Sequence, residues 1–175
     1  MAFFKPDWLL TSIYALRPID LKRNGINTIL TDLDNTLIAW HEPESSGQLR
    51  AWLAEMAQSQ IQVIVVSNNN AKRVARAVAD LDIPFIHSAR KPLPSGIKRA
   101  LRQFDLSPRQ TIMVGDQLLT DVQAGHLAGV RTVMVKPLVE TDSWVTLFSR
   151  FMEGFIMKHY ARKDAQFKWR ERLDD

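Results

Sequence analysis

The sequence predicts an α/β fold: one domain in three layers, a Rossmann-like sandwich with a central, mostly parallel sheet of about five strands. Three observations lead there. Short β-rich runs alternate with amphipathic helical stretches along the 175 residues. The runs are nearly continuously apolar, which marks strands covered on both faces. Strands of that kind in a β–α–β–α order close into a parallel sheet with helices on each side.

The first strand is predicted at Asn27–Thr31, and a helix follows at 46–58, with Ser45 or Ser46 as its cap. Ile61–Val66 is rich in β-branched residues and reads as the second strand; Asn68 to Asn70 can cap a helix over 70–80. Pro84–His87 is the third strand, with a helix over 94–104 and Pro108 punctuating its far side. Thr111–Val114 and Thr132–Val135 complete the set around a helix at 118–128 that Gly129 ends. A last helical pattern spans 143–157, and no repeat, low-complexity tract or linker divides the chain. Residues 1–175 therefore read as one domain, with its motifs in 26–136 and a helix plus basic tail in 143–175.

Composition narrows the classes. At 46% hydrophobic residues the chain can bury a proper core. The absence of cysteine excludes disulfides, thiolate metal sites and a cysteine nucleophile, and fits a reducing, cytoplasmic setting. Met1 to Leu16 lacks a signal-peptide pattern, and no window approaches the roughly 20 consecutive apolar residues of a spanning helix. The formal charge is +4, and the excess is concentrated toward the carboxyl end: from Arg150 to Arg172, Arg150, Lys158, Arg162, Lys163, Lys168, Arg170 and Arg172 face Glu153, Asp164 and Glu171.

In parallel sheets ligands gather at the carboxyl ends of the strands. Here the first strand ends in Asp32-Leu33-Asp34-Asn35-Thr36 and the second in Ser67-Asn68-Asn69. The third is followed by Lys91, and the fourth by Gly115-Asp116, with Asp121 five residues on. Singly, each has a bland reading as a turn, a cap or a solvated charge. Together, the acids make a hard, oxygen-rich site suited to Mg²⁺, while a lysine and a hydroxyl offer donors to a phosphate. Two aspartates one residue apart at the edge of a core are costly unless cations and donors meet them.

This series, Asp-x-Asp-x-Thr, strand plus Ser-Asn, Lys, then Gly-Asp-x-x-x-Thr-Asp, closely resembles the haloacid dehalogenase superfamily of aspartate-nucleophile phosphatases. The resemblance covers roughly residues 26–135. It implies that Asp32 is the nucleophile and that Asp34 serves as general acid and then base. It further implies that Thr36, Ser67, Asn68 and Lys91 line the phosphoryl group, Thr36 steadying its loop. Mg²⁺ would be held by Asp32, the backbone carbonyl of Asp34 and Asp116, with Asp121 in support. The chemistry needs these types because a carboxylate meets a phosphate dianion against repulsion, which a metal and a lysine cancel.

Asp34 favours a phosphatase over a dehalogenase. Only 30 residues separate Thr36 from Ser67 and 23 separate Ser67 from Lys91, which leaves no room for a large cap domain. The strings "VVSNN", "KPLPSG" and "GDQLLTDVQAG" resemble the capless subclass III, the YqeG-like branch related to phosphatidylglycerophosphate phosphatases; Thr31 stands where an aromatic is usual. That resemblance implies a lipid phosphate substrate, with soluble sugar phosphates, nucleotides or phosphoproteins as the alternative, and a non-catalytic scaffold ranked below both. Nucleic acid is not expected, since no base-reading motif occurs.

Trp144, Leu147, Phe148, Phe151, Phe155 and Ile156 recur at helical spacing before the basic stretch. Such a helix either packs on the sheet or lies at the inner face of a membrane with the basic tail near anionic headgroups, helped by Trp8, Leu9, Ile13 and Tyr14. The four histidines show no metal-ligand spacing, although His41 and Glu42 are close enough to the first motif to meet substrate.

Overall fold

The computed structural model describes residues 4–39, 46–139, 144–165 and 167–174, with side chains of the last helix from Glu153 onward. Six parallel strands form one sheet: β1 (Trp8–Leu10), β2 (Thr28–Thr31), β3 (Gln62–Val66), β4 (Phe85–Ile86), β5 (Thr111–Gly115) and β6 (Arg131–Val135), in the order β1-β6-β5-β2-β3-β4. The helices are α1 (Pro18–Arg23), α2 (Gly47–Gln58), α3 (Ala71–Ala77), α4 (Ser95–Gln103), α5 (Gln123–Ala128) and α6 (Trp144–Lys163).

The strand pleat sorts the apolar runs onto two faces. Ile29, Val63, Val65, Ile112, Val114 and Val133 meet Leu49, Trp52 and Met56 of α2 and Val74 of α3. Leu30, Ile64, Val66 and Met113 point the other way, onto Ile97 and Ala100 of α4 and Ala124 of α5. Both faces are dry, which is why these strands carry no polar alternation. Ser46 and Asn70 cap α2 and α3 as expected, accepting from the backbone N–H of Leu49 and Arg73. Asn68 does not cap; its side chain has another use.

The amino-terminal segment corrects one expectation. Trp8, Leu9, Ile13 and Tyr14 do not form an outward apolar patch: β1 is a sixth strand, paired with β6, and Leu9, Leu10 and Ile13 are buried. Trp8 packs on the core with the Arg131 guanidinium over its ring. Three residues after Lys5-Pro6-Asp7 are too short a run to register as a strand, and the six of α1 are too few to show a helical period.

The carboxyl-terminal segment is docked. Arg170 N donates to Leu9 O at 3.0 Å and Thr11 N to Arg170 O at 3.1 Å, so the tail runs along the free edge of β1. Leu173 is 1% exposed in the main core, and Lys5 pairs with Asp164 at 2.7 Å. In α6, Ile156 and Met157 pack against Leu9, Leu118, Val122 and Met134, while Phe155 is 61% exposed. Leu173→Ala is expected to cost about 2–5 kcal/mol, against a small effect from truncating a solvated tail. Urea unfolding checks this; an unchanged midpoint would mean that the docked tail adds nothing.

Candidate active site

The strand order reverses between β2 and β5: the chain goes from β2 outward to β3 and β4, then returns to β5 and β6 on the other side. A crevice opens at the carboxyl ends on either side of such a switch. Asp32 leaves β2 there, its N–H donating to Val114 O at 2.9 Å, and Asp116 leaves β5 beside it. Topology alone therefore brings together two carboxylates 84 residues apart in sequence.

Lys91 stands at the centre. Its Nζ donates to Asp32 Oδ1 at 2.6 Å and to Asp121 Oδ1 at 2.7 Å, with side chains only 3%, 13% and 1% exposed respectively for Lys91, Asp32 and Asp121. Asn68 fixes this lysine from behind: its Oδ1 accepts from Lys91 N at 2.7 Å and its Nδ2 donates to Lys91 O at 2.9 Å. The side chain expected to face phosphate thus clasps the backbone of Lys91. Ser67 is buried at the end of β3, its hydroxyl accepting from Asn69 N at 3.1 Å. Thr36 is also buried and donates to Asp116 Oδ1 at 3.2 Å, tying the first motif to the fourth.

Asp121 reaches the cluster through a local irregularity. The predicted helix at 118–128 begins instead as one π-helical turn, Leu118–Val122, of the kind often found at functional sites. The wide turn aims the Asp121 carboxylate back toward β5, where its Oδ2 accepts from Gln117 N at 3.1 Å. A Cβ at Gly115 would come within 2.2 Å of that carboxylate, so only glycine leaves room for it. On the outer side Glu153 of α6, itself buried, accepts from Leu119 N at 3.2 Å and fastens the turn. Glu153 carried no sequence signal for the site, and Asn69 none beyond its place in the Ser67-Asn68-Asn69 strand end.

The electrostatics are lopsided. One carboxylate oxygen each from Asp32, Asp116 and Asp121 lies within 4.8 Å of the others, with a single ammonium among them. Burial, then the neighbouring Asp121 and Asp32, push Asp116 up to about 8. Burial and Asp121 raise Asp32 to about 6 against the pull of Lys91. For Lys91 itself burial opposes the charge, but Asp121 and Asp32 outweigh it and hold the ammonium above its ordinary value. Carboxylates crowded in this way resist ionising together, and their oxygens are suitable ligands for a hard cation that would offset the charge.

Asp34 lies two residues past Asp32, its side chain 27% exposed. Its Oδ1 accepts from Arg73 Nη2 at 2.9 Å and its Oδ2 from Asn69 Nδ2. Its loop is tight: Asn35 N donates to Ile38 O, and Leu138 N donates to Asn35 O at 2.8 Å. His41 and Glu42 lie outside the described residues.

Comparison with known proteins places this arrangement. The chain is 40% identical over 169 residues to "Probable phosphatase YqeG" of Bacillus subtilis (strain 168), covering 97% of this chain and 98% of that one. It belongs to the haloacid dehalogenase-like phosphatases. A family model described as HAD-hydrolase-like matches residues 88–148, the span that carries Lys91, Asp116 and Asp121. Phosphatidylglycerophosphate phosphatase 1, chloroplastic, of Chlamydomonas reinhardtii is 30% identical over 151 residues, which are 81% of this chain and 56% of that one. The chain therefore spans little more than half of that longer relative. A crystal structure of an uncharacterized protein from Listeria monocytogenes serotype 4b shares the fold, with a TM-score of 0.54, 15% identity, and coverage of 68% of this chain and 84% of that one.

As a haloacid dehalogenase-like phosphatase the chain is a phosphoric monoester hydrolase of a family that uses a divalent metal. Short connections stand where other folds of this kind could carry a cap: α2 between β2 and β3, and α3 between β3 and β4. No described helix is long and apolar enough to cross a membrane.

Proposed function

We propose that the protein is a Mg²⁺-dependent phosphomonoesterase in which Asp32 attacks phosphorus, and that its substrate is a lipid phosphate of the phosphatidylglycerol phosphate type. The buried Lys91 ammonium, shared between Asp32 and Asp121, carries the reading of the chemistry. It aims a fixed positive charge at the place where a phosphoryl group must sit to meet Asp32, from a side chain only 3% exposed.

In this reading Lys91 and Ser67 hold the phosphoryl oxygens. Asp32 forms a bond to phosphorus as the bond to the leaving alcohol breaks, and Asp34 gives that alcohol its proton. Asp34 then takes a proton from water, which displaces Asp32 and releases phosphate. Thr36 and Asn68 act as positioning residues, one on Asp116 and the other on Lys91. Mg²⁺ would be held by Asp32, Asp116 and the Asp34 backbone carbonyl, with Asp121 orienting Lys91, and when bound it offsets the charge of the phosphate dianion.

Metal binding is then tied to pH. Asp116 and Asp32 are held above the ordinary carboxylate range, at about 8 and about 6. Folded metal-free protein therefore keeps protons that the unfolded chain has lost, and its stability falls as pH rises from about 4 through 8. A cation that replaces those protons binds better as pH rises. Saturating Mg²⁺ is expected to raise Tm by about 5–10 °C at pH 8 and by clearly less at pH 6. Equal shifts at the two pH values would sink the linkage.

Support for a lipid comes from the activity for which the algal relative is named and from two residues beside the site. Leu93, two residues past Lys91, and Leu138, bonded to the Asn35 carbonyl, are both exposed large apolar residues. The test is phosphate release from phosphatidylglycerol phosphate in mixed micelles beside glycerol 3-phosphate and an aryl phosphate, with Mg²⁺. Release at least about tenfold more efficient from the lipid supports the reading. Release from the soluble esters alone removes the lipid and keeps the phosphatase.

A further inference from the structure

Both oxygens of Asp34 already hold a donor. A leaving alcohol must come up to one of them to take its proton, and a guanidinium on that oxygen competes with the alcohol for the approach. Here both oxygens are taken, Oδ1 by Arg73 and Oδ2 by Asn69. The two donors differ in freedom. Asn69 is a short side chain on the turn that follows β3, whereas Arg73 extends from the first turn of α3 with its side chain 41% exposed. Its backbone is pinned by the Asn70 cap, so any change of partner falls to the long side chain.

We infer that Arg73 is a specificity residue that lets go of Asp34 to hold a second anionic group on the leaving alcohol. This rests on the phosphatase reading of the site and names its substrate class: phosphomonoesters whose alcohol carries a phosphodiester or carboxylate. The leaving oxygen must approach Asp34 to be protonated, so its substituents pass within a side-chain length of the Arg73 fork. A guanidinium prefers two oxygens of a phosphodiester or carboxylate in the same bidentate way that it would a protein carboxylate. The exchange swaps one anionic partner for another, so it costs little, and it frees Asp34 only when the right alcohol is present. An alcohol with no second charge leaves Arg73 on Asp34 and reacts more slowly. Binding energy from a remote part of the substrate is thereby spent on the reacting group.

The test compares glycerol 3-phosphate with glycerophosphoglycerol phosphate, a water-soluble ester whose leaving alcohol bears a phosphodiester. Native protein is expected to favour the second by about tenfold or more in kcat/KM, and Arg73→Ala to bring the ratio near one by losing mainly the diester substrate. Arg73→Lys should recover part of the ratio, since charge remains without the fork, and added salt should erode it in the native protein. A ratio that survives Arg73→Ala, or native protein that treats the two esters alike, overturns the inference. If neither soluble ester releases phosphate, release from the lipid decides the phosphatase reading, and calorimetry of the diester probe on Asp32→Asn protein decides the anion site alone. A loss of about tenfold in affinity on adding Arg73→Ala supports it there, and equal affinities overturn it.

Discussion

Asp32→Asn is expected to abolish phosphate release, lowering kcat on the order of 10⁴-fold or more, because an amide oxygen neither attacks phosphorus nor leaves as a carboxylate. The same change should leave metal-free protein as stable or raise Tm by about a few degrees at pH 8. The sign follows from the site. Asp32 is raised to about 6 by burial and by Asp121, in spite of Lys91, so its ionised form costs stability as pH rises through 6. The amide removes that cost and still offers an oxygen to Lys91. Thermal melts at pH 5 and 8 beside phosphate-release assays read both halves. A fall in Tm with the lost activity would mean that the variant fails by unfolding and that the nucleophile assignment needs other support.

Lys91→Met is expected to lose both function and stability. Two short ion pairs disappear, and Asp32 and Asp121 are left buried without their cation. Removing one partner of a buried pair costs about 3–5 kcal/mol, roughly 10 °C or more in Tm for a chain of this size. Loss of a preorganised charge on the phosphoryl group should take kcat down about 10²–10³-fold or further. The deficit has a pH signature: lowering pH lets the stranded carboxylates protonate, so the gap from the native protein narrows toward pH 5 and widens at pH 8. A gap independent of pH would point to packing of the lysine stem instead of its charge.

Legibility from sequence followed burial. β2, β3, β5 and β6 carry four or five successive apolar or β-branched residues, and a strand dry on both faces has no other way to be written. The strand predicted at Pro84–His87 keeps only Phe85–Ile86, since it is the sheet's edge and pairs through two residues. β1 escaped because its identity depends on β6 and on Arg170, partners far along the chain. At the site, Asp32, Asp34, Thr36, Ser67, Lys91, Asp116 and Asp121 all follow strand ends, so topology assembles what spacing suggested. Arg73 was invisible for the opposite reason. It looks like any basic residue on a helix, and only the length of its side chain carries it across to Asp34.

The tail beside β1 bears on how the protein is made. Leu10 and Arg170 are roughly 160 residues apart, so synthesis at about 5–20 residues per second separates them by some ten to thirty seconds. For about the first three quarters of that interval β6 does not yet exist to receive Trp8, Leu9 and Leu10, and the tail follows later still. This apolar segment is therefore made well before its partners. The protein's first strand is among the last to find its place.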